Sequence, residues 1–94
     1  MNTLAFPQPF VYRPDGSHTR VRNLGWLLRH ASDVERITCL AEAGRYWDVT
    51  MIAYLKDGRS FTCMWADRKV CRAWLKRPRF KGKPLYWLKY ETTC

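Results

Sequence analysis

The chain has 94 residues, 47% of them hydrophobic and 15% aromatic with five tryptophans, and it carries a formal charge of +9 from 17 lysines and arginines against 8 carboxylates. That length accommodates one domain (1–94) and one core, burying roughly 60 to 70% of the unfolded surface, and the apolar content excludes a disordered basic tail. No run approaches the roughly 18 apolar residues of a membrane span, and Met1 to Phe10 lacks the basic, apolar and small-residue order of a secretory signal; a soluble, cytoplasmic protein with no membrane partner is expected.

Pro7 and Pro9 hold residues 1–9 extended and peripheral. Phe10 to Tyr12 and His18 to Val21 flank Arg13-Pro14-Asp15-Gly16, where proline presets one turn position and glycine accepts a positive φ, so a small hairpin is predicted. Asn23 is placed to cap a helix from Leu24 to Ser32, with Leu24, Leu27, Leu28 and Ala31 on one face and Gly25 weakening it. Val34 to Glu42 alternates as a half-buried strand, with Ile37, Cys39 and Ala41 inward. After a turn at Ala43-Gly44-Arg45, Trp47, Val49, Met51, Ala53 and Leu55 form the inner face of a second strand whose outer residues, Ile52 and Tyr54 among them, are unusually apolar.

The turn Leu55-Lys56-Asp57-Gly58-Arg59 admits two registers one residue apart. A type I turn closed by a glycine bulge sets Ala53 opposite Phe61, Met51 opposite Cys63 and Val49 opposite Trp65, one continuous apolar face, and is therefore preferred. Asp67 caps a second helix, Arg68 to Arg77, ended by Pro78 and burying Val70, Cys71, Trp74 and Leu75. Lys81-Gly82-Lys83-Pro84 is a turn, and Leu85 to Glu91 a last strand with Leu85 and Trp87 on one side and Tyr86, Leu88 and Tyr90 on the other. The expected fold is α+β: a mostly antiparallel sheet of four to five short strands with two short helices packed on one face.

Cys39, Cys63, Cys71 and Cys94 lack the close spacing of a disulfide framework, and neither they nor His18 and His30 show the paired spacing of a metal site; buried thiols, no metal and no cofactor are expected. No phosphate loop, nucleophile elbow or paired-carboxylate motif occurs. His30, close to Asp33 at a helix end, is the one side chain placed as a base, and such a histidine is ordinarily a cap or a surface group. No catalytic residue is assigned and no enzymatic activity is expected.

Charge is unevenly distributed. From Arg68 to Tyr90 there are nine basic residues and no carboxylate, so the remainder is neutral. A solvated face for solubility explains a run of charge, but not the exclusion of acids over that length. Arg68, Lys69, Arg72 and Lys76 on the second helix, followed by Arg77, Arg79, Lys81 and Lys83 in the loop, form the predicted partner-binding or nucleic-acid-binding site of a basic helix-loop-strand region, 68–90. Each phosphate neutralised there releases counterions. An acidic protein surface, a nucleoprotein complex and nucleic acid itself all fit such a site. Phe80 is placed as a base-stacking ring among these cations, with core packing as its alternative; Tyr86 and Tyr90 carry the same pair of readings. Trp26, off its helix's main stripe, either meets the first hairpin or faces a partner. Oligomeric state and sequence preference are left open.

In overall plan the chain resembles small proteins of phages and mobile elements: two short helices, a Lys-Asp-Gly-Arg hairpin at Lys56 to Arg59, and a helix ending Ala73-Trp74-Leu75-Lys76-Arg77. Among these, anti-CRISPR proteins inhibit DNA-targeting complexes without enzymatic activity. The resemblance implies that the basic face competes with or imitates contacts inside a CRISPR surveillance complex in a bacterial host cytoplasm, and it assigns no individual residue. Acting on DNA or RNA directly, as an accessory module, is the competing expectation.

Overall fold

The structure is a computed structural model and describes residues 9–42 and 45–89. The segment before Pro9, the turn at Ala43-Gly44, Tyr90, Glu91 and Cys94 lie outside the described residues, as do the side chains of 42–48 and Lys89.

β1 (Phe10–Tyr12) and β2 (His18–Arg20) form the predicted hairpin. Asp15 Oδ1 closes its turn, accepting from the Ser17 hydroxyl at 2.6 Å and the Ser17 amide at 2.9 Å, and these bonds hold the carboxyl below its usual range. Pro9 departs from the peripheral placement: it is buried, and its carbonyl accepts from the Val21 amide at 2.9 Å. α1 (Gly25–Arg29) is shorter than expected because the chain tightens after His30 into a 3-10 turn, Ala31–Asp33. Asn23 Oδ1 accepts from the Gly25 amide at 2.8 Å, and a Cβ on residue 25 would stand 2.9 Å from that oxygen. Glycine thus costs helix propensity but leaves room for the bond.

β3 (Val34–Glu42), β4 (Arg45–Leu55) and β5 (Ser60–Trp65) form an antiparallel meander. Val49 faces Trp65, Met51 faces Cys63 and Ala53 faces Phe61, the register that the apolar faces demanded. Gly58 takes φ +95° at the bulge, and the Leu55 amide donates to the Arg59 carbonyl at 2.8 Å. α2 (Arg68–Trp74) starts at Asp67, whose Oδ1 accepts from the Lys69 amide at 2.7 Å and the Val70 amide at 3.3 Å. It stops short of Arg77, and Pro78 then opens a second 3-10 turn, Pro78–Phe80. β6 (Leu85–Lys89) completes the chain's described portion.

The sheet corrects one expectation. All six strands join a single sheet, in the order β2-β1-β5-β4-β3-β6, and β6 runs parallel to β3. It is therefore a mixed sheet, larger than four to five strands, although its other pairings are antiparallel. The reason is the connection: α2 carries the chain from β5 across β4 and β3 to the far edge, and a helical crossover returns the next strand in its original direction. Side-chain alternation reports faces and is blind to strand direction.

Both helices lie on one face, as expected. Ile37, Cys39, Met51, Ala53, Phe61 and Trp65 supply the sheet's share of the core, and Leu27, Ala31, Cys71, Leu75 and Phe80 cover them. Trp26 stacks between the His30 ring at 3.9 Å and the Phe61 ring at 5.8 Å, so it faces the core, not a partner. Cys39, Cys63 and Cys71 are buried free thiols. Burial pushes the Cys63 thiol up to about 12; a hydrogen bond with Cys39, and then burial, push Cys71 up as well.

Candidate polyanion-docking surface

The cationic surface is built outward from α2. Cys71 and Leu75 are buried and Val70 and Trp74 half-buried, which fixes the helix's rotation and turns Lys69, Arg72 and Lys76 to solvent. Arg77 lies just beyond the helix end, Arg79 is the middle residue of the second 3-10 turn and Lys81 follows it; all three are exposed. These six cations are the part of the predicted set that the structure leaves accessible.

Several are held in place by contacts that keep their charge. The Arg72 guanidinium lies 4.6 Å from the Trp87 ring centroid and that of Arg77 5.7 Å from Trp74. A guanidinium on a ring face keeps its N–H donors at the edge, where they can still meet a phosphate or carboxylate in bidentate fashion. Arg79 Nη1 donates to the Leu28 carbonyl at 3.1 Å, spending one of five donors to tether the loop to α1.

The other predicted residues have different parts. Lys83 is half-buried and its Nζ donates to the Val34 carbonyl at 2.9 Å, a strut between the loop and the start of β3. Arg68 is half-buried with its Nε out of solvent. Phe80 is a correction: it is 4% exposed and packs 5.1 Å from the Trp74 ring, so no base can reach it. The turn that displays Arg79 and Lys81 does so by driving Phe80 inward as its anchor. The tether from Arg79 to the Leu28 carbonyl was missed: it joins residues 51 positions apart, and no local pattern marks it.

The described carboxylates do not pair with this surface. Among the described residues the ion pairs are Arg59–Asp57 at 2.8 Å and Arg36–Glu35 at 3.5 Å, and neither draws on the cations of 68–83. Asp67 spends its carboxylate on the α2 cap. Asp33 sits in the 3-10 turn that packs against Pro78–Phe80, yet forms no ion pair with Arg79 or Lys81. The surface keeps its field, with no internal neutralisation by described carboxylates.

His30 Nδ1 donates to the Trp26 carbonyl at 2.8 Å while its ring stacks on the Trp26 indole, the part of a helix-end cap. Among the described residues no cluster of three potential metal ligands occurs, and no helix is long and apolar enough to cross a membrane.

Fold and surface together define a class: a small basic α+β domain, helices on one side of a mixed sheet, with a cationic helix-and-loop face. No protein-family model matches the chain, and no match was found among curated proteins or solved structures.

Proposed function

We propose that the chain is a non-enzymatic docking protein whose α2 and 3-10 loop face seats on a polyanionic surface of a nucleoprotein complex, in the manner of phage-encoded inhibitors of the anti-CRISPR type. The observation that carries this reading is the set of six exposed cations, Lys69, Arg72, Lys76, Arg77, Arg79 and Lys81, unpaired with any described carboxylate. Five or six such contacts to phosphate give an affinity whose logarithm falls with log salt at a slope of about −5. Against an acidic protein surface the same charges mainly speed encounter.

Direct action on DNA or RNA is the second reading, favoured by the ring-bearing face of the sheet, which no described residue buries. A pull-down from host lysate with and without nuclease separates the two. Capture that survives nuclease supports the docking reading, and capture abolished by nuclease supports the second. The cleanest variant reverses Lys69, Lys76 and Lys81, because Arg72 and Arg79 also hold structure through Trp87 and the Leu28 carbonyl. K69E/K76E/K81E is expected to lose capture with an unchanged melting curve. Full capture by a folded triple variant would remove the basis for this function.

A further inference from the structure

The face of the sheet turned away from the helices is laid out by the strand register. One row crosses all six strands as Arg20, Phe10, Thr62, Ile52, Thr38 and Tyr86. The next runs His18, Tyr12, Ser60, Tyr54 and Arg36. None of these side chains is buried, in contrast to the opposite face, and Tyr12 and Tyr86 are 37% and 50% exposed.

The rings and cations on this face are in contact. Phe10 lies 6.4 Å from Tyr12 and 5.3 Å from His18, and Tyr12 lies 5.2 Å from His18. The Arg20 guanidinium is 5.7 Å from the Phe10 centroid and that of Arg36 is 4.1 Å from Tyr54. Each row thus carries an arginine at one end, Arg20 on β2 and Arg36 on β3, and neither row contains a carboxylate. Arg36 also meets Glu35 at 3.5 Å, an exposed pair that competes weakly with a phosphate.

We propose that this face binds single-stranded nucleic acid, with bases stacked on Phe10, Tyr12 and Tyr86 and phosphates on Arg20 and on Arg36, which the Tyr54 ring beneath it holds in place. Flat rings beside arginines offer each nucleotide both things it needs, a π-face for the base and a cation for the backbone. A duplex keeps its base planes inside the stack and has only phosphates to offer. A neutral apolar partner would leave the two arginines without a counter-charge. The inference does not rest on the helix-side docking reading: it uses the opposite face and other residues.

Fluorescence anisotropy with a labelled 15-nucleotide oligothymidylate, beside a duplex of equal length, tests it. The single strand is expected to bind more tightly. Y12A/Y54A/Y86A is expected to weaken it at least tenfold at both 0.1 M and 0.5 M salt, because stacking is not screened, while Tyr54→Phe retains binding. Should the triple variant melt early, Y12A/Y86A at the two most exposed rings decides, with a loss of at least fivefold. K69E/K76E/K81E is expected to leave the ring-dependent part of single-strand binding in place, so failure of the docking reading and of this one are separately visible. Equal affinity for the duplex, or unchanged oligothymidylate binding in the folded ring variants, overturns the proposal. So does sedimentation velocity showing a dimer that Y12A/Y86A dissociates, with no oligothymidylate bound, since a second copy then covers the face.

Discussion

The two faces of the sheet are made by the same strands and have opposite fates. On the helix side, Phe61, Met51 and Cys39 are sealed beneath α1, α2 and the 3-10 turns, and charge is confined to the outer surface of that cover. On the other side, Phe10, Tyr12, Tyr54 and Tyr86 alternate with threonine, serine and arginine, and every described side chain keeps some solvent contact. A large apolar residue is therefore sealed in the core on the first face and left solvent-accessible on the second. The same distinction divides the cations: Lys83 braces the loop, whereas the exposed Lys69, Lys76 and Lys81 side chains form no hydrogen bond or ion pair with another described residue.

Removing one ring from each side tests that contrast most sharply. Phe80→Ala is expected to cost about 3 kcal/mol, since it opens a cavity beside Trp74. Tyr86→Ala should stay within about 0.5 kcal/mol. Urea unfolding measures both, and equal losses would erase the distinction between the faces. Alkaline titration probes the sealed side alone. The folded-state pKa of Cys63 is raised to about 12 from 9.0, so the neutral thiol's contribution is intact below pH 9 and is lost as pH rises from 9 towards 12. The stability difference between wild type and Cys63→Ala should accordingly shrink with pH across that window, by up to about 1.4 kcal/mol per pH unit. A pH-independent difference would mean that the thiol is not secluded. The smallest effect belongs to the cap that orients the cationic cover: Asp67→Ala should lower stability by about 1 kcal/mol and Asp67→Asn by much less, because asparagine caps nearly as well. Equal losses would show that the carboxylate's charge matters more than its cap.

The site was partly legible in the sequence. The stripe Val70, Cys71, Trp74 and Leu75 sets the rotation of α2, and with it the outward turn of Lys69, Arg72 and Lys76. The loop was harder to read. Arg79, Phe80 and Lys81 look alike as a basic-aromatic run, yet the 3-10 turn drives Phe80 into the core and leaves its neighbours outside. The Arg79 tether to Leu28 and the Lys83 strut to Val34 depend on partners some fifty residues away, which no local pattern records.

Local chemistry in the sequence determined the Asp67 cap of α2, the turns and the register of the β4–β5 hairpin, because a one-residue slip there would have broken a continuous apolar face. Tertiary structure alone decided that β6 lies parallel to β3, that α2 bridges the sheet to reach that edge, and that no described residue buries the ring-bearing face. Hydrophobic alternation specifies which side of a strand is buried. It carries no information about strand direction or about which of two apolar faces the helices will cover, and those follow only from how the crossover packs.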